Sequence, residues 1–223
     1  MTFKDSFVTY EAFGAIGDGV TDDLPAICAA HEYANMHGLP ISTKPDATYH
    51  LGSRSLTAII ATDTDWNTSR FTIDDTQVED HKTPLFKVRS LLPPEQLQID
   101  RLIRDQEQLA VRPVHDCHVL VEDDDRRRYI RRGLNQNQGV PQHDCFILHR
   151  DGAVEGAIDW NYDSVTRIEA RPIDEKPLVL RGGVFTTFAN RMKQEIGYNY
   201  WSRNIVITRS NTEVDESDPL RRR

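Results

Sequence analysis

The chain holds only three cysteines, Cys28, Cys117 and Cys145, in 223 residues. That is too few for a disulfide-stapled scaffold and odd in number, so at most one bridge is available. Long apolar runs are missing as well: no stretch approaches the roughly 18 uninterrupted apolar residues of a membrane-spanning helix. Positive charge is in deficit, with 27 Lys and Arg against 35 Asp and Glu and a formal net charge of −8. A general nucleic-acid binder needs a basic, phosphate-facing surface, and this balance argues against one. The opening residues lack the basic-then-apolar pattern of a secretory signal, although the mature part of an exported protein would look the same. No low-complexity linker and no exact internal repeat occurs.

What is present begins with punctuation. Phe13-Gly14-Ala15-Ile16-Gly17-Asp18-Gly19 reads as a short apolar strand entering a turn, whose three glycines permit positive φ. Thr21-Asp22-Asp23 offers side-chain oxygens to the orphan N–H groups of a helix start, and Pro25 costs nothing in a first turn. Leu24, Ile27, Cys28, His31 and Ala34 recur at helical spacing. Gly38, Leu39 and Pro40 end the pattern, so the spacing predicts one amphipathic helix over 22–37.

Beyond Pro40 short β-rich runs follow one another at 39–43, 48–51, 56–62, 70–73 and 85–88, and again at 178–180, 184–188 and 204–209. Many short strands with frequent turns mean a sandwich, a barrel or a solenoid, and the spacing does not separate these three. Residues 93–109 suggest a short helix carrying Leu97, Ile99, Leu102 and Ile103. From about 114 to 175 the pattern is one of antiparallel hairpins. One pairs 118–121 with 129–131 around the charged turn Asp123-Asp124-Asp125-Arg126. A second pairs 145–148 with 154–159 around Asp151-Gly152, a strong hairpin signal. In the first, Arg126-Arg127-Arg128 would neutralise Asp123-Asp124-Asp125 across the hairpin. Asp63, Asp65, Asp74 and Asp75 read as turn residues, and the end of the chain as a charged, loose tail.

The block Tyr10-Glu11-Ala12-Phe13-Gly14-Ala15-Ile16-Gly17-Asp18-Gly19-Val20-Thr21-Asp22-Asp23, then Ala26-Ile27, Ala29-Ala30 and Pro45-Asp46-Ala47-Thr48-Tyr49, resembles the N-terminal signature of the pectate-lyase-like superfamily, with Ala47 where that family carries glycine. The resemblance implies an all-β fold: a right-handed parallel β-helix, short or truncated, with an N-terminal capping α-helix and, here, an antiparallel β-hairpin insertion. A stack of coiled strands would leave unpaired backbone and an open apolar interior at its first coil, and an amphipathic helix laid across it closes that end. Asp18, Asp22 and Asp23 then become capping and turn residues. The organisation expected is cap helix and first coils over 1–110, the insertion over 111–176, further β-helix strands over 177–214 and a tail over 215–223.

The scaffold carries polygalacturonases, rhamnogalacturonases, polysaccharide lyases, uronan epimerases and phage tailspikes, so the resemblance specifies fold better than reaction. It implies a carbohydrate-active protein, the N-terminal portion of an enzyme that degrades or modifies a polysaccharide by lyase, glycoside hydrolase or epimerase chemistry. The alternative is a non-catalytic carbohydrate-binding or structural module of the tailspike or adhesin kind. Members of the superfamily carry their catalytic acids in middle coils, and this chain is expected to stop before them. The implied partners are a polysaccharide or oligosaccharide, with no nucleic acid and no membrane, and a second copy of the chain through exposed β-helix surface. An extracellular or periplasmic location goes with the resemblance.

Candidate site residues fall in the second half. His115-Asp116-Cys117 and His143-Asp144-Cys145 repeat one triplet, and in strands each His and Cys share a face. Brought together, His115, Cys117, His143 and Cys145 would make a tetrahedral zinc site; the alternative is partly buried cysteines with surface histidines, or one disulfide. No other cofactor is indicated, a divalent metal being the one candidate. Arg131 and Arg132 suit a sugar carboxylate, Asn135 and Gln136 its hydroxyls, and His143 or Tyr129 would be the base that a lyase or epimerase needs; the bland reading is an exposed polar loop. Asp159 and Asp163 flank Trp160 and Tyr162. Hydrolysis needs two carboxyls about 5–10 Å apart, whereas residues i and i+4 of a strand are roughly 13 Å apart, so another segment would have to contribute. Trp160, Tyr200 and Trp201 are candidates for stacking on sugar rings or for plain packing.

Overall fold

The computed structural model describes residues 7–52, 55–76, 80, 82–128, 139–188 and 203–215. It is mostly β, with parallel sheets and one α-helix, and it divides into two compact units: Met1–Leu91 with Glu175–Arg223, and Leu92–Asp174. In chain order the first unit holds β1 (Asp18–Asp22), α1 (Leu24–His37), β2 (Ile41–Ser42), β3 (Thr48–Leu51), β4 (Ala58–Ile60), β5 (Thr64–Asp65), β6 (Arg70–Asp74) and β7 (Phe86–Val88). The second holds β8 (Cys117–Arg127), β9 (Pro141–Leu148), β10 (Val154–Glu155) and β11 (Arg167–Pro172). The chain then returns to the first unit as β12 (Leu178–Arg181), β13 (Val184–Phe188), β14 (Ile205–Ile207) and β15 (Thr212–Asp215).

The strands of the first unit form three parallel sheets, ordered β2-β5-β12-β15, β1-β3-β6-β13 and β4-β7-β14. From β2 onward the chain visits them in one fixed order. β2, β3 and β4 take one strand position in each sheet, β5, β6 and β7 the next, and β12, β13 and β14 the next, before β15 re-enters the first sheet. Successive visits lie in register: Ile41 pairs with Thr64, Tyr49 with Phe71 and then Phe185, and Ala58 with Phe86. Register carries side-chain identity with it. Tyr49, Phe71 and Phe185 therefore form an inward ladder of rings, with centroids 5.3 and 4.7 Å apart. Trp66 and Phe86 pack against Phe71 and Phe185 edge-on, the arrangement that opposed ring quadrupoles favour.

The amphipathic helix falls where its periodicity places it, burying Leu24, Ile27, Ala30, His31 and Ala34. Gly38 ends it at φ 63°, a left-handed conformation that side chains resist. Helix and flanking segments cover the first edge of each parallel sheet. β1 pairs with β3. Val8 bridges Ile41, exchanging hydrogen bonds with Pro40 and Ser42 of 2.8 and 3.0 Å. On α1, the Asn35 amide donates to the Ile59 carbonyl (2.7 Å) and accepts from the Ala61 N–H (3.0 Å), standing in for a neighbouring strand beside β4. These contacts satisfy backbone groups that an open edge would expose. At the other end of the three sheets, Val184, Phe188, Ile207 and Val214 are exposed on β13, β14 and β15.

Local expectations need three corrections. The apolar strand expected before the glycine turn is a 3-10 turn at Glu11–Phe13, and the strand is the glycine segment itself, β1. No helix forms over 93–109. Leu97 and Ile99 turn inward at a spacing of two, and Glu95, Leu102 and Gln108 bridge to Ala170, Tyr162 and Ala153, so the segment is extended. The charged run 123–126 is not a turn. β8 continues through it to Arg127 with a register irregularity and pairs with β9, while 129–131 lie outside the described residues.

Candidate functional site

Among the residues around the glycine turn, the three acids all serve the backbone. Asp18 accepts from the N–H groups of Val20 (2.9 Å) and Thr21 (2.8 Å), which hold its carboxyl below the usual range. Asp22 accepts from Leu24 (3.2 Å) and Gly52 (2.9 Å). Asp23, 1% exposed, accepts from Ile16 (2.7 Å) and Gly17 (3.1 Å); burial raises its carboxyl and these bonds oppose the rise. Asp75, read as a turn residue, is buried and ion-paired with Arg203 at 2.8 Å. Its carboxyl is pushed up by burial and pulled back by the guanidinium. A depression on the first parallel sheet is lined by Asp63, Asp65 and Arg181, but Asp63 already accepts from the Val179 N–H (2.8 Å) and Asp65 from the Asn67 N–H (2.9 Å).

The second unit is an antiparallel sheet ordered β10-β9-β8-β11. Alternation along β8 and β9 sends Cys117, Val119, Val121, Phe146 and Leu148 into a core with Ile99, Leu102, Leu109, Ile158 and Tyr162. Rows on the opposite face follow from register: Arg171 with His118 and Ile147, Glu169 with Leu120 and Cys145, Arg167 with Glu122 and His143.

This register decides the fate of the repeated triplets. Cys117 stands opposite Leu148 on the core face, its thiol donating to the His115 carbonyl, whereas Cys145 stands opposite Leu120 on the outer face. The two triplets thus meet the sheet in opposite phase, and His115, Cys117, His143 and Cys145 do not converge. His115 turns its Nδ1 to Glu95 (2.8 Å), and His143 donates to the Pro141 carbonyl (3.0 Å). Among the described residues no group of three or more His, Cys, Asp or Glu is placed to hold a metal, and all three cysteines are free thiols. Burial first, and then nearby carboxylates, push Cys28 up to about 11 and Cys117 up to about 12.

Residues 159–163 form a bent segment rather than the expected strand. Tyr162 enters the core and bridges Leu102, while Trp160 stays 38% exposed. Asp159 and Asp163 are both exposed, and Asp163 is ion-paired with Arg126. Neutralisation of Arg126 therefore runs to Asp163 and, within β8, to Asp123 (3.5 Å), not across a hairpin. Three residues to which the sequence reading gave no role here organise this corner. Arg128 lies over the Trp160 ring, its guanidinium carbon 4.0 Å from the centroid, and binds Gln142 through Nε (2.8 Å). Gln142, fully buried, donates to the Asn161 carbonyl (3.0 Å). Asp144, 5% exposed, accepts from the Trp160 N–H (3.3 Å); its carboxyl is raised by burial, with the neighbouring Tyr162 phenol and the backbone opposing. The alternation of 141–148 was the signal that could have found Gln142 and Asp144, since it places both on the inner face. Arg131, Arg132, Asn135, Gln136, Tyr129, Tyr200 and Trp201 lie outside the described residues.

His149 was also missed. Its Nδ1 meets Asp116 and its Nε2 meets Glu155, each at 3.1 Å. The Asp116 bond first, and Glu155 after it, raise the imidazole above its ordinary value.

No protein-family model matches the chain, and no curated protein matches it.

Proposed function

We propose that the first unit is a right-handed parallel β-helix of the carbohydrate-active kind, that the second is an antiparallel insertion within it, and that the insertion binds a polysaccharide. Support for the fold comes from the fixed order in which the chain visits its three parallel sheets, with α1 and β1 over the first edges. Crossovers between parallel strands are right-handed almost without exception, which supports the right hand. The observation carrying the functional reading is the Trp160–Arg128 pair: a half-open indole held by a guanidinium on a buried Gln142 anchor. An aromatic face or edge left uncovered by Arg128 takes the C–H side of a sugar ring, and the guanidinium stacked on the indole suits the carboxylate of a uronic acid.

Native gels cast with polygalacturonate, rhamnogalacturonan or alginate test this directly. One of these polymers is expected to retard the protein, and Trp160→Ala to weaken binding by about tenfold, equivalent to about 1.4 kcal/mol. Equal mobility of wild type and Trp160→Ala in all three polymers would remove the reading. A second reading, hydrolase or lyase chemistry, rests on the Asp63, Asp65 and Arg181 depression. It calls for new reducing ends or unsaturated uronate from the same polymers, abolished in Asp65→Asn.

A further inference from the structure

The outer face of the β8–β9 hairpin carries a thiol and an imidazole in contact. Cys145 Sγ lies 3.1 Å from His118 Nε2 and 3.8 Å from its Nδ1. The pairing is a consequence of register: Cys145 stands opposite Leu120, and His118 is the next residue along β8 on the same face. Diagonal neighbours of this kind sit within side-chain reach on an antiparallel sheet. The strands hold both residues, and a depression lined by His118, Leu120, Cys145, Glu169 and Arg171 opens beside them. Cys145 is exposed, whereas Cys117 is buried and Cys28 is partly covered.

We propose that Cys145 and His118 form a nucleophile–base pair that undergoes thiol–disulfide exchange with a small disulfide entering the Leu120–Arg171 depression. The Cys145 thiol passes its proton to His118 Nε2, and the thiolate attacks one sulfur of the incoming disulfide. A new S–S bond forms as the old one breaks, and the departing thiolate takes the proton from His118. Cys145 is thereby oxidised to the mixed disulfide while the other half of the reagent is reduced to a thiol, so the exchange needs no further oxidant. A base is needed here because burial and then the Asp144 carboxylate raise the Cys145 thiol, leaving little free thiolate near neutrality. Other charged or titratable groups on this face are Glu122 on β8, His143 on β9, Glu155 on β10, and Arg167, Glu169 and Arg171 on β11. Arg171 pairs with Glu169, and Glu155 with His149.

The test is stopped-flow reaction of the folded protein with neutral 2,2′-dithiodipyridine, with intact mass and peptide mapping of the product. One thiol is expected to react fast and to map to Cys145, and Cys145→Ser to lose that phase. His118→Gln is expected to slow it roughly tenfold or more near neutral pH. That difference should vanish at high pH, where hydroxide deprotonates the thiol unaided. His118→Gly supplies an independent check: it should react slowly, and free imidazole should restore the rate. A merely exposed cysteine would react at the same rate in all the His118 variants, with no imidazole effect, and that result would overturn the proposal. Fast modification at Cys28 or Cys117 would do so as well.

Discussion

His31 in the first unit stands on α1 against the rings of Tyr10 and Phe86, fully buried, whereas His149 in the second lies between two carboxylates with a third of its side chain exposed. In the first case three sheets and a helix enclose an aromatic interior in which few polar atoms are buried. Trp66 Nε1–H donates to the Tyr10 hydroxyl (3.0 Å), which donates to His31 Nε2 (2.9 Å), and burial holds the imidazole down to about 3. In the second, a single antiparallel sheet leaves one face to solvent, so titratable groups collect there and pair with each other. The same side chain is therefore kept neutral in one unit and encouraged to charge in the other. Their responses to pH carry opposite signs.

The largest consequence is an acid weakness in the first unit. An unfolded histidine titrates near 6.5, and folded His31 near 3, so below about pH 6.5 the unfolded chain binds a proton that the folded one refuses. Stability should fall by about 1.4 kcal/mol per pH unit as pH drops from 6.5 toward 3, reaching about 4 kcal/mol near pH 3.5. Urea unfolding followed by Trp66 fluorescence, with Trp160 and Trp201 replaced by Phe, measures it. His31→Gln keeps an acceptor for Tyr10 but cannot charge, and its urea midpoint should change much less over the same range. Equal acid shifts in both proteins would mean that burial of His31 is not the cause.

Next in size is the aromatic interior itself. Trp66, 2% exposed, contacts Phe71, Phe86 and Phe185 with centroids 5.1 to 5.9 Å away. Trp66→Ala should cost about 3–5 kcal/mol as a cavity opens among the rings. Trp66→Phe keeps an aromatic ring of smaller volume and deletes the bond to Tyr10, and should cost less, about 1–2 kcal/mol. Pulse proteolysis in urea, read by mass on peptides of α1, β3 and β6, separates the two. A smaller loss for Ala than for Phe would show that hydrogen bonding, not packing, holds this core.

How much of this could be read in advance follows the range of the signals. The helix, β3, β13 and the hairpin around Gly152 were legible because each is fixed by local periodicity or by a glycine with positive φ. β5 and β15 were not: Thr64–Asp65 and Thr212–Asp215 are short and polar, and parallel partners distant in sequence make them strands. The phase error at the triplets has the same origin. His115-Asp116-Cys117 and His143-Asp144-Cys145 look alike locally, and only the register of β8 against β9 reveals that one cysteine faces in and the other out. Asp159 and Asp163 were expected on one face of a strand, while Leu102 draws Tyr162 inward and the segment bends.

The smallest effect sharpens the comparison most, because it isolates sign from size. His149 has its pKa raised in the folded state, so its contribution is fully present below about pH 6.5 and is lost as pH rises through the elevated value. Asp116 runs the other way. The backbone N–H of Arg150 first, and His149 after it, hold its carboxyl low, so its share is present above the ordinary carboxylate range and is lost in acid. NMR titration of the His149 ring should give a value above 6.5. Asp116→Asn should bring it down further than Glu155→Gln, since the Asp116 bond is the larger cause of the rise. A His149 ring that titrates at 6.5, or that responds more to Glu155→Gln, would mean that the two carboxylates do not hold the imidazole as the 3.1 Å contacts require. The contrast with His31 would then rest on burial in the first unit alone.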